Sequence, residues 1–158
     1  MDERSNTKRN ATAHGHARYE RDLYGWATEQ AGLLRAGRIA EADTRNIAEE
    51  LDDVGSEQYD KLESALRLIL LHPLKWDHQP ERRSRSRCAS ITVQRNQVRR
   101  VLRKNPGLKP HVKTATADAY EDARIEAAAQ TRLSPRKFPA QCPYAWDDIM
   151  ERPVEWPA

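Results

Sequence analysis

Along most of the chain, apolar residues recur every three to four positions, the spacing that places them on one face of an α-helix. The first such stripe runs over residues 19–34, and Gly37 follows it at a position typical of a helix end. A second stripe covers residues 47–54 and is followed by Gly55, which we expect to end that helix. The pattern therefore predicts two helices before residue 56.

The third predicted helix is the most apolar one. Ser56 can cap its start with its side chain, and the apolar stripe continues over residues 62–76. Residues 66–74 are apolar on nearly every side of the helix, so we expect them at the centre of the core. Pro73 interrupts this segment. Because its ring removes a backbone donor, we expect a kink or a helix end near His72.

Two further helices are predicted in the second half of the chain. One begins near Pro80, carries an apolar stripe over residues 88–102 and is stopped near Pro106. The other covers residues 110–131 and places alanines on one narrow face. Alanine has the highest helix propensity and permits close approach of a neighbouring helix, so we expect this helix to pack tightly.

These patterns predict an all-α fold, since no stretch shows the alternation of a half-buried strand. We expect a compact bundle of about five helices. An irregular, proline-rich C-terminal segment over residues 135–158 is expected to hold one short helix near residues 145–150. The expected organisation is a flexible polar tail at residues 1–17, a single helical domain at residues 18–150 and a C-terminal extension at residues 151–158.

Composition narrows the functional classes. The chain has 158 residues, of which 38% are hydrophobic and 32% charged, so we expect a thin core and a heavily charged surface. The longest apolar run, residues 68–71, is far shorter than the roughly 18 residues of a membrane-spanning helix. Residues 1–17 lack the apolar segment of a secretory signal, so we expect a cytoplasmic protein. Cys88 and Cys142 lack zinc-ligand spacing and are expected to be free thiols.

Charge is divided between two blocks of opposite sign. Residues 41–63 contain nine acidic and two basic residues, whereas residues 80–104 contain nine basic and one acidic. We favour mutual neutralisation, because exposed ion pairs of about 0–1 kcal/mol each would together decide which helices are neighbours. The alternative is an open anion-binding helix for RNA, DNA or a phosphorylated ligand, although this block lacks aromatic residues that stack on bases. Its candidate residues are Arg82, Arg83, Arg85, Arg87, Arg99, Arg100 and Arg103.

Arg95 lies on the apolar stripe of its own helix, between Ile91 and Val98. A guanidinium in that position needs a buried partner, because an isolated buried charge is very costly. We therefore predict a polar cluster between helices, which we interpret as an ion network that fixes the packing; an active site on the same groups is the rival interpretation. The candidate residues are Glu50, His72, Lys75, Trp76, Arg95, Tyr120 and Asp122.

An enzyme or metal site is a weaker hypothesis. It would use His72 with two adjacent carboxylate pairs, Glu49-Glu50 and Glu121-Asp122. Neighbouring residues on a helix point in different directions, and the chain contains no Glu-x-x-His motif of a di-metal bundle. It also contains no glycine-rich phosphate loop, since its 6 glycines are scattered singly. We therefore expect no metal and no cofactor.

Several separate segments resemble the DUF29 family, and together they cover about residues 19–150. The resemblance implies an all-helical, mostly bacterial protein, and it implies no activity or ligand. The sequence departs from the family pattern at Pro73, where a leucine is common, and at Arg87, where a tryptophan is common. The segments that carry the resemblance are residues 19–26, 30–35, 46–51, 62–72, 74–76, 79–82, 119–124, 138–139 and 142–144.

These observations favour a non-enzymatic protein-interaction or structural module. Its expected partner is another protein or a second copy of the chain, since a thin-cored helical domain can extend its core across a two-fold axis. Nucleic-acid binding through the arginine-rich helix is the alternative. An enzyme or metal site around His72 is the second alternative.

Overall fold

The computed structural model describes residues 18–79 and 85–153. Of these residues, 84% lie in α- or 3-10 helices and none lies in a strand, so the all-α prediction is confirmed. They form two compact units: the first ends at Gly55 and the second begins at Ser56. The predicted tail at residues 1–17 lies outside the described residues, as do the predicted helix start near Pro80 and residues Arg82 and Arg83.

In the first unit, residues 18–21 are helical and α1 covers Leu23–Arg35. The Asp22 side chain caps α1 by accepting a hydrogen bond from the Gly25 backbone amide at 2.9 Å. The predicted end at Gly37 is confirmed: its φ of 71° lies in the left-handed region that glycine adopts without strain. A 3-10 turn, Ile39–Glu41, then leads to the next helix.

That next helix, α2, covers Thr44–His78 without interruption. The predicted stop at Gly55, the cap at Ser56 and the end near His72 are therefore wrong. A lone glycine costs a helix only about 1 kcal/mol relative to alanine. Pro73 costs about 3 kcal/mol or more, but Ile69 and Leu74 beside it are fully buried, and each stabilises this segment by about 1.5–3 kcal/mol.

The second unit contains the rest of α2 and three further helices. These are α3 (Arg85–Lys104), α4 (Val112–Thr131) and the short α5 (Trp146–Glu151), which confirms the short helix predicted near residues 145–150. Two 3-10 turns, Pro106–His111 and Pro135–Lys137, lie between them. Arg132 ends α4 in the left-handed conformation, with a φ of 58°.

The core of the second unit is built around α2. Leu66 and Leu70 are fully buried there, together with Val98 of α3. The predicted alanine face of α4 is confirmed, because its alanines are buried in the same cluster. Three residues of the C-terminal segment complete this core. Phe138 precedes α5, whereas Ile149 and Met150 lie on it. The buried alanines are Ala115, Ala119, Ala123, Ala127 and Ala128.

Both cysteines are free thiols, as predicted: Cys88 is buried and Cys142 is half-buried. Burial raises the pKa of the Cys142 thiol. Within residues 18–79 and 85–153, none of the helices combines the length and the apolar character needed to cross a membrane.

Candidate functional site

Arg95 is half-buried, but its partner is not a carboxylate. Its Nε and Nη1 donate to the main-chain carbonyl oxygens of Ile149 and Arg152, both at 2.8 Å. A longer contact of 3.3 Å joins Nη2 to the carbonyl oxygen of Asp148. The last carbonyls of a helix lack intrahelical partners and carry a partial negative charge, so they suit a guanidinium. The predicted acidic partner is therefore wrong, and Arg95 caps the end of α5.

Arg99, one helical turn further along α3, acts on the same end of α5. It donates to a Glu151 carboxylate oxygen at 2.8 Å and to the Met150 carbonyl oxygen at 3.3 Å. The predicted neutralisation of the basic block by the acidic block is consequently wrong for Arg95 and Arg99. Both side chains hold the C-terminal segment, which the charge pattern of residues 41–63 and 80–104 did not indicate.

The same segment is tied to the end of α2 through Asp77. Its carboxylate accepts hydrogen bonds from the Tyr144 hydroxyl at 2.9 Å and from Arg152 at 3.0 Å. Burial alone would raise the pKa of Asp77, but the hydrogen bonds from Arg152 and Tyr144 lower it overall. Sequence reasoning missed Tyr144 and Arg152 as partners, because they are 67 and 75 positions away from Asp77 and no local pattern links them.

His72 and Lys75, two members of the predicted polar cluster, lie one turn apart on α2 and are only 9% and 8% exposed. Burial lowers the pKa of His72 to about 4, with further contributions from the positive charges of Lys75 and Arg87. Burial and the Arg87 charge likewise lower the pKa of Lys75. The structure thus brings together residues from two separate predictions, because Arg87 belonged to the proposed anion-binding helix.

A row of hydrogen bonds flanks this cluster and connects α2 with α4. Lys75 Nζ donates to Gln130 Oε1, and Gln130 Nε2 donates to Glu126 Oε1 at 2.8 Å. The other carboxylate oxygen of Glu126 pairs with Arg67, which lies about two helical turns before Lys75 on α2. Lys75 is thus paired with a neutral amide, and the Glu126 carboxylate is shared between Gln130 and Arg67.

The other members of the predicted cluster have separate partners. The Tyr120 hydroxyl donates to the Pro139 carbonyl oxygen at 2.7 Å, so it holds the C-terminal segment. Asp122 is exposed, and its charge adds to the burial that raises the pKa of Glu63. Trp76 is half-buried at the end of α2. The prediction of one joint cluster is therefore wrong for Arg95, Tyr120 and Asp122.

Glu50 belongs to the first unit, where it accepts a hydrogen bond from the Tyr19 hydroxyl at 2.8 Å. That hydrogen bond, together with the neighbouring carboxylates, raises the pKa of Tyr19 to about 12. Tyr19 also packs edge-on against Trp26, with ring centroids 4.8 Å apart. Glu50 thus has a structural role that follows from its local contacts.

The interior of the first unit is small and polar. The Trp26 indole donates to Asp43 Oδ2 at 3.3 Å, and the same oxygen accepts from the Asn46 amide at 2.7 Å. Gln30 accepts from the Asp43 backbone amide at 2.8 Å. All four side chains are buried, so hydrogen bonds replace much of the apolar burial that a core usually provides.

Apolar side chains that could enlarge this core lie on the surface instead. Leu51 and Val54, one turn apart on α2, are 66% and 56% exposed. Three exposed acidic residues flank them on the same helix, namely Glu49, Asp52 and Asp53. We call residues 49–54 the acidic apolar turn. Further exposed large apolar residues of the first unit are Leu23, Tyr24, Leu34 and Ile39.

On α3, the predicted anion-binding residues differ in their surroundings. Arg85, Arg100 and Arg103 are exposed, Arg87 is half-buried, and Arg99 is exposed but bound to α5. Among the carboxylates proposed for a metal site, Glu49, Glu121 and Asp122 are all exposed. Within the described part of the chain, no three His, Cys, Asp or Glu side chains are placed to hold a metal ion.

A family model described as a domain of unknown function, DUF29, matches residues 18–154. This match spans most of the 158 residues, so the chain belongs to the DUF29 family, and the resemblance inferred from the sequence is confirmed. Neither the curated proteins nor the solved structures give a match. The family description names no activity, ligand or partner.

Proposed function

We propose that this DUF29 chain is a non-enzymatic interaction module, and that its acidic apolar turn binds a basic amphipathic helix of a partner protein. The observation that carries the proposal is the exposure of Leu51 and Val54, 66% and 56%, between carboxylates on one helix. Covering such side chains contributes about 1.5–3 kcal/mol each, and positive charges on the partner would meet Glu49, Asp52 and Asp53.

Single exposed apolar residues are normal on a protein surface and need no explanation. The first unit, however, exposes six large ones while its interior depends on the buried Trp26, Asp43 and Asn46. A unit that leaves this many apolar side chains in water gains stability when another chain covers them. Helix-in-groove and helix-on-helix recognition commonly use anchors at this one-turn spacing.

Charge favours a different protein over a second copy of this chain. In a two-fold dimer the same surface faces itself, so Asp52 and Asp53 would approach their own counterparts. A partner rich in Lys or Arg avoids this repulsion and is drawn to the turn by long-range attraction. The homodimer expected from the sequence alone therefore becomes an outcome of the test below.

The test is a titration of the full chain with a synthetic amphipathic helix made only of leucine and lysine, followed by fluorescence anisotropy. The double variant Leu51→Ser/Val54→Ser is expected to bind at least about tenfold more weakly, because two apolar contacts are lost. Val93→Ser is the matched control, since Val93 is 60% exposed on α3 of the second unit. It is expected to bind like the wild type.

A second pair of variants isolates the charge contribution. Asp52→Asn/Asp53→Asn is expected to weaken binding and to reduce its salt dependence, whereas Glu121→Gln/Asp122→Asn, an exposed adjacent pair on α4, is expected to change neither. Equal binding by all these variants would overturn the proposal. So would tight binding of a leucine–glutamate helix, or a dimer in sedimentation that Leu51→Ser abolishes.

RNA or DNA binding by α3 remains the alternative prediction. Among the described candidates, Arg99 is bound to Glu151 and Arg87 is half-buried, while Arg100 and Arg103 are exposed. Fewer exposed cations release fewer counterions, so non-specific affinity is expected to be weak. Retardation of single-stranded RNA at low salt that is lost in Arg100→Met/Arg103→Met would favour this alternative.

A further inference from the structure

The cluster of His72, Lys75 and Arg87 contains buried polar atoms without hydrogen-bond partners among the described residues. His72 Nδ1 and Arg87 Nη1 are both buried, and neither has a hydrogen-bond partner among the described residues. Leaving such an atom unpaired destabilises the fold, and the cost is larger for a charged group. Native proteins seldom leave two in one place, so each case calls for an explanation such as a ligand.

The charges of this cluster are also unbalanced. Lys75, Arg87 and the nearby Arg67 are cationic, and Glu126 is the carboxylate that acts on them. Among the described residues, these three cations and one carboxylate leave two positive charges in a half-buried setting. Burial is the main cause of the lowered pKa values of His72 and Lys75, and the neighbouring positive charges lower both values further.

The three side chains come from two helices, His72 and Lys75 from α2 and Arg87 from α3. The Lys75 ammonium has three N–H bonds and uses one of them on Gln130 Oε1. Arg87 offers Nη1 from α3, and His72 offers Nδ1 from α2 in the tautomer that carries its proton there.

We propose that His72, Lys75 and Arg87 form a binding site for a phosphate group, either inorganic phosphate or a phosphate monoester. A phosphate dianion matches the two surplus charges, and its several oxygens can accept from donors on two helices at once. A carboxylate carries one charge and two oxygens, so it would satisfy the cluster only in part. This site is separate from the acidic apolar turn, so either proposal can fail while the other stands.

The first test measures binding of inorganic phosphate to the full chain by isothermal titration calorimetry, with acetate as the carboxylate arm. We expect a Kd of about 1 mM or below for phosphate and weaker binding of acetate. Lys75→Met and Arg87→Met are each expected to weaken phosphate binding at least about tenfold. Arg100→Met removes an exposed cation from the same helix as Arg87 and is the matched control. It is expected to bind like the wild type.

The second test follows the His72 ring by nuclear magnetic resonance during the same titration. Bound phosphate places a negative charge beside the imidazole, so the pKa of His72 is expected to rise from about 4 toward its ordinary value. The charges that act on the ring in the absence of phosphate are those of Lys75 and Arg87.

Three results would overturn the proposal. One is no heat and no His72 response with phosphate in the wild type. Another is an equal loss of binding in Arg100→Met and Arg87→Met, which would indicate non-specific attraction. The third is acetate binding as tightly as phosphate, which would mean that the site recognises a single carboxylate.

Discussion

One helix, α2, carries two stretches with similar apolar residues, which are exposed in one stretch and buried in the other. In the first unit, Leu51 and Val54 are 66% and 56% exposed. In the second unit, Leu62 and Leu66 are fully buried. Both pairs recur at helical spacing, so periodicity alone does not distinguish them.

The difference lies in what covers each stretch. Around Leu66, α3 and the alanine face of α4 provide buried neighbours, and the C-terminal segment adds Ile149 and Met150 to the same cluster. The first unit instead buries a hydrogen-bonded set around Asp43 and leaves its apolar turn in solvent. An amphipathic stripe therefore shows where a partner surface is needed, while the partner itself comes from elsewhere in the chain or from another molecule.

The largest expected difference in the free energy of unfolding is between side-chain truncations in the two stretches. Leu66→Ala should lower the free energy of unfolding by about 2–5 kcal/mol, because it removes a buried side chain and leaves a cavity. Leu51→Ala should change it by no more than about 0.5 kcal/mol, since its side chain is already exposed. Urea unfolding followed by circular dichroism measures both. A loss of similar size in the two variants would mean that Leu51 is covered in solution.

A smaller effect is expected at Arg95, whose side chain binds the end of α5. Arg95→Met should lower the free energy of unfolding by about 1–3 kcal/mol, because three hydrogen bonds to the carbonyls of α5 are lost. Lysine cannot span these carbonyls with a forked donor, so Arg95→Lys should recover only part of the loss.

The control for Arg95 is Arg100→Met on the exposed side of α3, which should unfold like the wild type. Hydrogen exchange gives a second measurement, since the amides of residues 146–151 should exchange faster in Arg95→Met. Unchanged exchange there, combined with a full loss of stability, would contradict the assignment of Arg95 as a cap of α5.

The smallest expected effect is a gain in stability at the end of the exposed stretch. Gly55 lies inside α2 with open space where a Cβ would be, so Gly55→Ala should raise the free energy of unfolding by about 0.5–1 kcal/mol. Gly37→Ala should lower it, because the φ of 71° at Gly37 is strained for alanine. A loss of stability in Gly55→Ala would indicate that residues 49–55 are not a continuous helix in solution.

The sequence was sufficient for the helix class, for the end of α1 at Gly37 and for the alanine face of α4, because each depends on local spacing or on one residue's backbone preference. It was not sufficient for the continuity of α2. At Gly55 the helix continues because a lone glycine costs it only about 1 kcal/mol. At Pro73 the burial of Ile69 and Leu74 offsets the larger proline penalty, and that burial is decided by residues far along the chain.

The candidate sites show the same division. Arg95 was predicted to need a partner, which its position between Ile91 and Val98 indicated, but the partner was a helix end 54 positions away that no pattern links to it. His72 and Lys75 were both among the residues predicted for the polar cluster. Arg87 was a candidate only for the alternative anion-binding helix, and its charge acts on both residues through the packing of α3 near α2.

The two free thiols make the second unit chemically distinguishable from the first. Cys88 is fully buried in α3 and Cys142 is half-buried, whereas the first unit contains no cysteine. An alkylating reagent would reach Cys88 only while α3 is detached from its neighbours. The rate at which the Cys88 thiol is modified therefore measures how often the second unit opens, and the measurement needs no engineered label.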